Sequence, residues 1–130
     1  MIRMTTLSAL TALTLGAIAS PALADNVRVQ SGVLCDTAEQ AARLSELVRQ
    51  GNLRDAIVKV NLEASKPTAC GVAAVAYTDS EQVGEIRAEN GVQLFRIIRV
   101  TVVGVKGPDG IKRVAAVEQF ALAPARSFEA

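Results

Sequence analysis

The chain has 130 residues, half of them hydrophobic, with 14 Lys and Arg against 13 Asp and Glu and neither histidine nor tryptophan. A near-neutral chain without basic clusters is a poor partner for nucleic acid or a membrane surface, both of which need concentrated positive charge. The missing imidazole also removes Ser-His and Cys-His relays and the usual mixed zinc ligand set.

The first 24 residues read as a segment apart from the fold. Arg3 gives a short basic start, Leu7 to Ala19 an apolar run, and Ser20-Pro21-Ala22-Leu23-Ala24 the small-x-small pattern of a signal-peptidase site. The run is shorter than the ~20 apolar residues a membrane span needs. A signal peptide over 1–24, cleaved near Ala24, leaves one secreted domain over 25–130. Without Arg3 its formal charges balance. Export, to the periplasm or beyond the cell, also gives the two cysteines a meaning. A single pair, Cys35 and Cys70, in an oxidising compartment is expected to form a disulfide.

Along the mature chain, Asn26 to Val33 alternates Val27 and Val29 against Arg28 and Gln30, as a short strand does. Asp36 or Thr37, with Glu39 or Gln40 three residues on, makes a capping box for a helix running from Thr37 to Gln50. Ala38, Ala41, Leu44, Leu47 and Val48 form its apolar stripe, and Gly51-Asn52 closes it. Leu53 to Ala64 fits two patterns, and we expect a helical turn running into a strand over Ile57 to Leu62. Gly71 to Tyr77 is a strand rich in small residues, Thr78-Asp79-Ser80 a turn, and Glu81 to Ala88 a polar edge strand.

Asn90-Gly91 is a strong hairpin signal and feeds Val92 to Val105, the most strand-like stretch of the chain. One face carries Val92, Leu94, Ile98, Val100 and Val102, interrupted only by Arg96. The other face is apolar at both ends and polar in its middle, so a bend is expected at Gly104. Gly107-Pro108-Asp109-Gly110 turns the chain back into Ile111 to Leu122. There Glu118 shares a face with Val114, Phe120 and Leu122. A carboxylate on an apolar face needs a partner. Placing Arg96 roughly opposite residue 120 or 121 would bring it within diagonal reach of Glu118, as an internal ion pair or a polar spot in a ligand groove.

The expected architecture is α+β, one amphipathic helix on a curled antiparallel meander of five or six strands. A small SH3-like barrel is favoured over an open cystatin-like sheet. No catalytic, metal or cofactor constellation stands out: Glu81, Glu85 and Glu89 read as one solvated strand edge, and no Gly-rich phosphate loop is present. With Tyr77 and three phenylalanines as the only aromatics, a stacking platform for sugars or single strands loses ground, while a protein-binding surface loses none.

Gly32-Val33-Leu34-Cys35-Asp36-Thr37, followed by Glu39-Gln40, Val60-Asn61 and Ala69-Cys70, resembles a group of small secreted bacterial proteins, largely alphaproteobacterial. The resemblance covers most of the mature chain and carries no activity. It implies a Gram-negative periplasmic or secreted location and a fold built around the cysteine pair. The function expected is a non-catalytic binding or structural module of the envelope, acting on another protein or an envelope component. A secreted inhibitor of a protease or lysozyme, with Gly107 to Gly110 as its wedge, is the alternative, and an enzyme comes third.

Overall fold

The computed structural model describes residues 26–125, so the expected signal segment, and Phe128 in the tail, lie outside the described residues. The elements follow the order β1 (Arg28–Cys35), α1 (Ala38–Gln50), α2 (Leu53–Glu63), β2 (Cys70–Arg87), β3 (Gln93–Gly107) and β4 (Gly110–Pro124). Among the described residues the fold is α+β, with two helices and a four-stranded antiparallel sheet.

Thr37 is the residue that caps α1. Its hydroxyl accepts from the Gln40 backbone N–H, and the Gln40 side chain accepts from the Thr37 N–H, both at 3.1 Å. Gly51 then donates its N–H to Val48 O and ends the helix. Asp36 holds the α1 entry from outside, accepting from Lys66 Nζ at 2.5 Å and from the Gln119 amide at 3.0 Å. Burial works against its charge, but those two hydrogen bonds and the lysine's charge outweigh it and keep its pKa below the ordinary carboxylate value.

Leu53 to Glu63 is a full second helix, not a turn running into a strand. The deciding residue is Asn52, whose side chain accepts from the Asp55 N–H at 2.9 Å and so caps a new helix directly after the first. With that start fixed, Ala56 and Val60 are buried on the helical stripe, while Val58 and Leu62, which fit a strand's alternation, are 55% and 74% exposed.

The sheet has four strands where five or six were expected, for two reasons. The Leu53–Glu63 segment contributes none, and Thr78-Asp79-Ser80 does not break the chain. Instead β2 runs on through it, pairing Thr78 with Thr101 and Glu81 with Arg99, so that Asp79 and Ser80 bulge opposite Val100. Asp79 takes a φ of 53°, a left-handed conformation that aspartate tolerates better than most residues. Further register shifts follow at Gln82/Gly84 and Ile86/Arg87. Such bulges bend a strand, which lets four strands curl far enough to close.

Closure comes from β1, which pairs with β2 along its whole length and with β4 through Val33–Leu122, Leu34–Ala121 and Cys35–Phe120. The sheet is therefore a closed barrel and not the open cystatin-like alternative. The bend expected at Gly104 coincides with shifts against both neighbours. A Cβ there would sit 2.8 Å from Ile111 Cγ2 and 3.2 Å from Lys112 O, so the close approach of β4 requires glycine.

The helices cover one face of the sheet. Leu44 and Ala41 of α1 and Val60 and Ala56 of α2 pack with Cys35, Cys70, Ile97 and Leu122. Cys35 and Cys70 are direct cross-strand partners and are joined by a disulfide, with Cα atoms 4.0 Å apart. Asn61 of α2 locks the same corner, accepting from the Cys70 N–H at 2.8 Å and donating to Pro67 O at 2.8 Å and Cys70 O at 3.2 Å. The opposite face has a second cluster around Val75, Val100 and Val102, with Leu34, Tyr77 and Ile98 at its margin. No helix of the described residues is long and apolar enough to cross a membrane.

Candidate functional site

The β1–β4 ladder covers only Val33 to Cys35, although β1 begins at Arg28. Ahead of the ladder, Arg28 to Gly32 follow β2 while β4 goes its own way. A cavity of about 460 Å³ lies there, bordered by both parting strands and reaching Val33 and Leu122 of the helix-covered cluster. Its apolar part includes Leu34 of β1, Val75 of β2, Ile98 and Val100 of β3 and Leu122 of β4. Because paired residues share a face, Arg28 and Gln30 on β1 arrive beside Tyr77 and Val75 on β2.

Two polar contacts span its wall. Tyr77 donates its hydroxyl to Gln30 Oε1 at 2.9 Å, and Arg96 Nη1 donates to Gln82 Oε1 at 3.3 Å. Both acceptors are neutral amides. Among the described residues, Arg28 and Arg96 border the cavity and no Asp or Glu does. Glu85 lies across the ladder from Arg96 but is engaged elsewhere: Arg87 binds one carboxylate oxygen and Gln93 the other, at 2.5 Å. The Arg87 and Gln93 hydrogen bonds hold its pKa below the usual glutamate value, against its desolvation.

Arg96 and Glu118 are not brought together. Val102 pairs with Val117 and Gly104 with Arg113, so Val103 faces three β4 residues, Val114 to Ala116. This bulge slides the rest of β4 along, and Arg96 pairs with Ala123 instead of residue 120 or 121. Glu118 lies across from Thr101 and takes Arg99 as its ion partner at 3.6 Å, on a surface where Glu81 also binds Arg99. Pairs this exposed contribute little to stability. Arg96 does share its face with Ile98 and Val100, as strand alternation suggests, and that face is the cavity's.

The Gly107-Pro108-Asp109-Gly110 segment is an exposed two-residue hairpin turn, with Gly107 paired to Gly110 and Gly110 at a φ of 109°. It lies apart from the cavity.

Sequence reading missed Arg28, Gln30, Tyr77 and Gln82 as members of one site. The alternation of Val27 and Val29 against Arg28 and Gln30 was visible, but it marks a polar face without saying what that face borders. Gly32 was equally silent. It is exposed at the cavity's border, and a side chain built there meets nothing within 4 Å.

Chemically, the site offers hydrogen-bond donors, positive charge and an apolar surface. Among the described residues no group of three or more His, Cys, Asp and Glu is placed to hold a metal ion. These features define a helix-covered, disulfide-linked antiparallel barrel with a polar-walled cavity. No protein-family model, curated protein or solved structure matches the chain.

Proposed function

We propose that the protein is an exported binding module of the bacterial envelope, which holds a small ligand in the barrel cavity and performs no reaction on it. The observation that carries this reading is the cavity itself, with its apolar surface beside a few convergent polar groups. Its volume falls in the ~300–1,000 Å³ range usual for small-molecule sites, and that combination is typical of them. The disulfide supports export, since such bonds persist in oxidising compartments. A pair tying β1 to β2 beside the helices also gives the cavity a stiff frame, which lowers the cost of ordering on binding.

Gly32→Phe tests the proposal. The new ring enters open space at a strand position that suits aromatic residues, so the variant should fold with near-parental stability and a filled cavity. Oxidised protein incubated with a small-molecule extract of bacterial envelopes, then examined by native mass spectrometry, should carry a bound species that Gly32→Phe lacks. Identical spectra for the two proteins would remove the cavity from the account.

A second reading, inhibition of a protease or lysozyme, is favoured by one feature, the exposed turn at Pro108 and Asp109. Replacing both with glycine should leave stability within roughly 1 kcal/mol, because the turn is exposed and packs against no core. If the turn is a wedge, inhibition in a protease and lysozyme panel disappears with it. Inhibition that survives the double substitution excludes the wedge.

A further inference from the structure

We infer that the Cys35–Cys70 bridge is a latch set only on the open chain. A dithiol–disulfide oxidant must reach both thiols before the helices dock, and afterwards no thiol reductant reaches the bond short of global unfolding. The inference is independent of the cavity and its ligand, and it adds a class of partner and an order of events. Access comes first. Cys35 and Cys70 are 0% and 3% exposed, in one cluster with Ala41 and Leu44 of α1 and Ala56 and Val60 of α2. A thiolate must meet a disulfide sulfur directly to attack it, so the rate of exchange depends on access to that sulfur.

Hydrogen bonds hold this cover in place from both sides of the bridge. Asp36, next to Cys35, donates its N–H to the carbonyl of Ala69, next to Cys70, at 2.8 Å. Its carboxylate accepts from Lys66 and Gln119, tying the α1 entry to the approach to β2 and to β4. Asn61 fastens α2 to the backbone of Cys70 and Pro67. Baring a sulfur therefore means lifting α1 or α2, and with it Leu44 or Val60 of the main core. An opening of that extent approaches global unfolding.

The chemistry runs before this cover exists, because the loop that the bond closes contains both helices. One cysteine thiolate attacks the oxidant's disulfide, forms a mixed disulfide and releases one oxidant thiolate. The second cysteine thiolate attacks the sulfur of the first, closing the Cys35–Cys70 bond and releasing the other. Two electrons pass to the oxidant, whose dithiol takes up the two thiol protons.

The test incubates the oxidised protein with dithiothreitol across a urea series below the unfolding midpoint, with alkylation and mass spectrometry as the readout. Reduction in buffer should be ~10³-fold or more slower than in fully unfolding urea, as the folded-to-unfolded ratio of a small domain requires. The logarithm of the rate should rise with urea at the slope of equilibrium unfolding. A rate that is flat at low urea, or rises with a shallower slope, would overturn the inference, since reductant would then reach the bond in folded or locally opened protein.

Asn61→Ala should flatten the slope at low urea by letting the corner open on its own. A rate raised by the same factor at every urea concentration would overturn the part assigned to Asn61. For the forward direction, reduced protein whose helices have formed, by circular dichroism, should take up oxidised glutathione more slowly in buffer than in urea. A reduced chain that forms no helices until it is oxidised would support the same order, and equal uptake with the helices formed would overturn it.

Discussion

Replacing Cys35 and Cys70 with alanine, or reducing the bond between them, is expected to lower the unfolding free energy by about 2–4 kcal/mol. The bridge closes a loop with a sequence separation of 35 that contains both helices. In the chain-entropy model a loop of that length contributes roughly 4 kcal/mol by restricting the unfolded chain, and native strain can only reduce the figure. The two cysteines are also buried at 0% and 3% exposure in the main core, so alanine leaves small voids behind. Domains of this size are stable by only ~5–15 kcal/mol, and each kcal/mol moves the midpoint by about 4–8 °C. Thermal and urea unfolding with and without reductant measure the effect. A change below about 1 kcal/mol would mean that the sheet and the Asn61 contacts hold this corner without help from the bond.

Leu44→Ala is expected to cost about 3–5 kcal/mol. Leu44 is fully buried at the middle of the α1 stripe and belongs to the cluster shared by both helices, Ile97 and Leu122. Truncating it removes apolar contacts and leaves a cavity lined by two helices and a sheet, which a disulfide-tied frame cannot easily collapse. Leu62→Ala gives the matched control: at 74% exposure it should change stability by no more than roughly 0.5 kcal/mol. The comparison also tests the second helix, because a strand over Ile57 to Leu62 would place Leu62 with Val60 on one face. Urea midpoints of the two variants decide it. A Leu62→Ala loss as large as that of Leu44→Ala would contradict the α2 packing.

Local signals were readable wherever one side chain decides a backbone state. Thr37 with Gln40 marks the start of α1, and Gly107 to Gly110 and Asn90-Gly91 mark the hairpins. The single cysteine pair indicated its own bridge. Readability failed where two periodicities share residues. Val60 satisfies both the helical stripe with Ala56 and the strand alternation with Val58, and only the Asn52 cap separates them. It failed again at Thr78 to Ser80, because a polar, turn-prone triplet suits a bulge as well as a loop. The face of Arg96 could be read from alternation, but its partner depends on how many residues bulge at Val114 to Ala116. The cavity had no local signature at all. It exists because β1 and β4, from opposite ends of the chain, pair for three residues and then separate.

Backbone amide shift mapping of the oxidised protein titrated with a small-molecule extract of bacterial envelopes tests the binding site most directly. The predicted result is a saturable set of shifts at Gly32, Val75, Tyr77, Ile98 and Val100, absent from Gly32→Phe. Shifts confined to the exposed α2 surface around Val58 and Leu62, or shifts that persist in Gly32→Phe, would contradict a ligand-holding cavity.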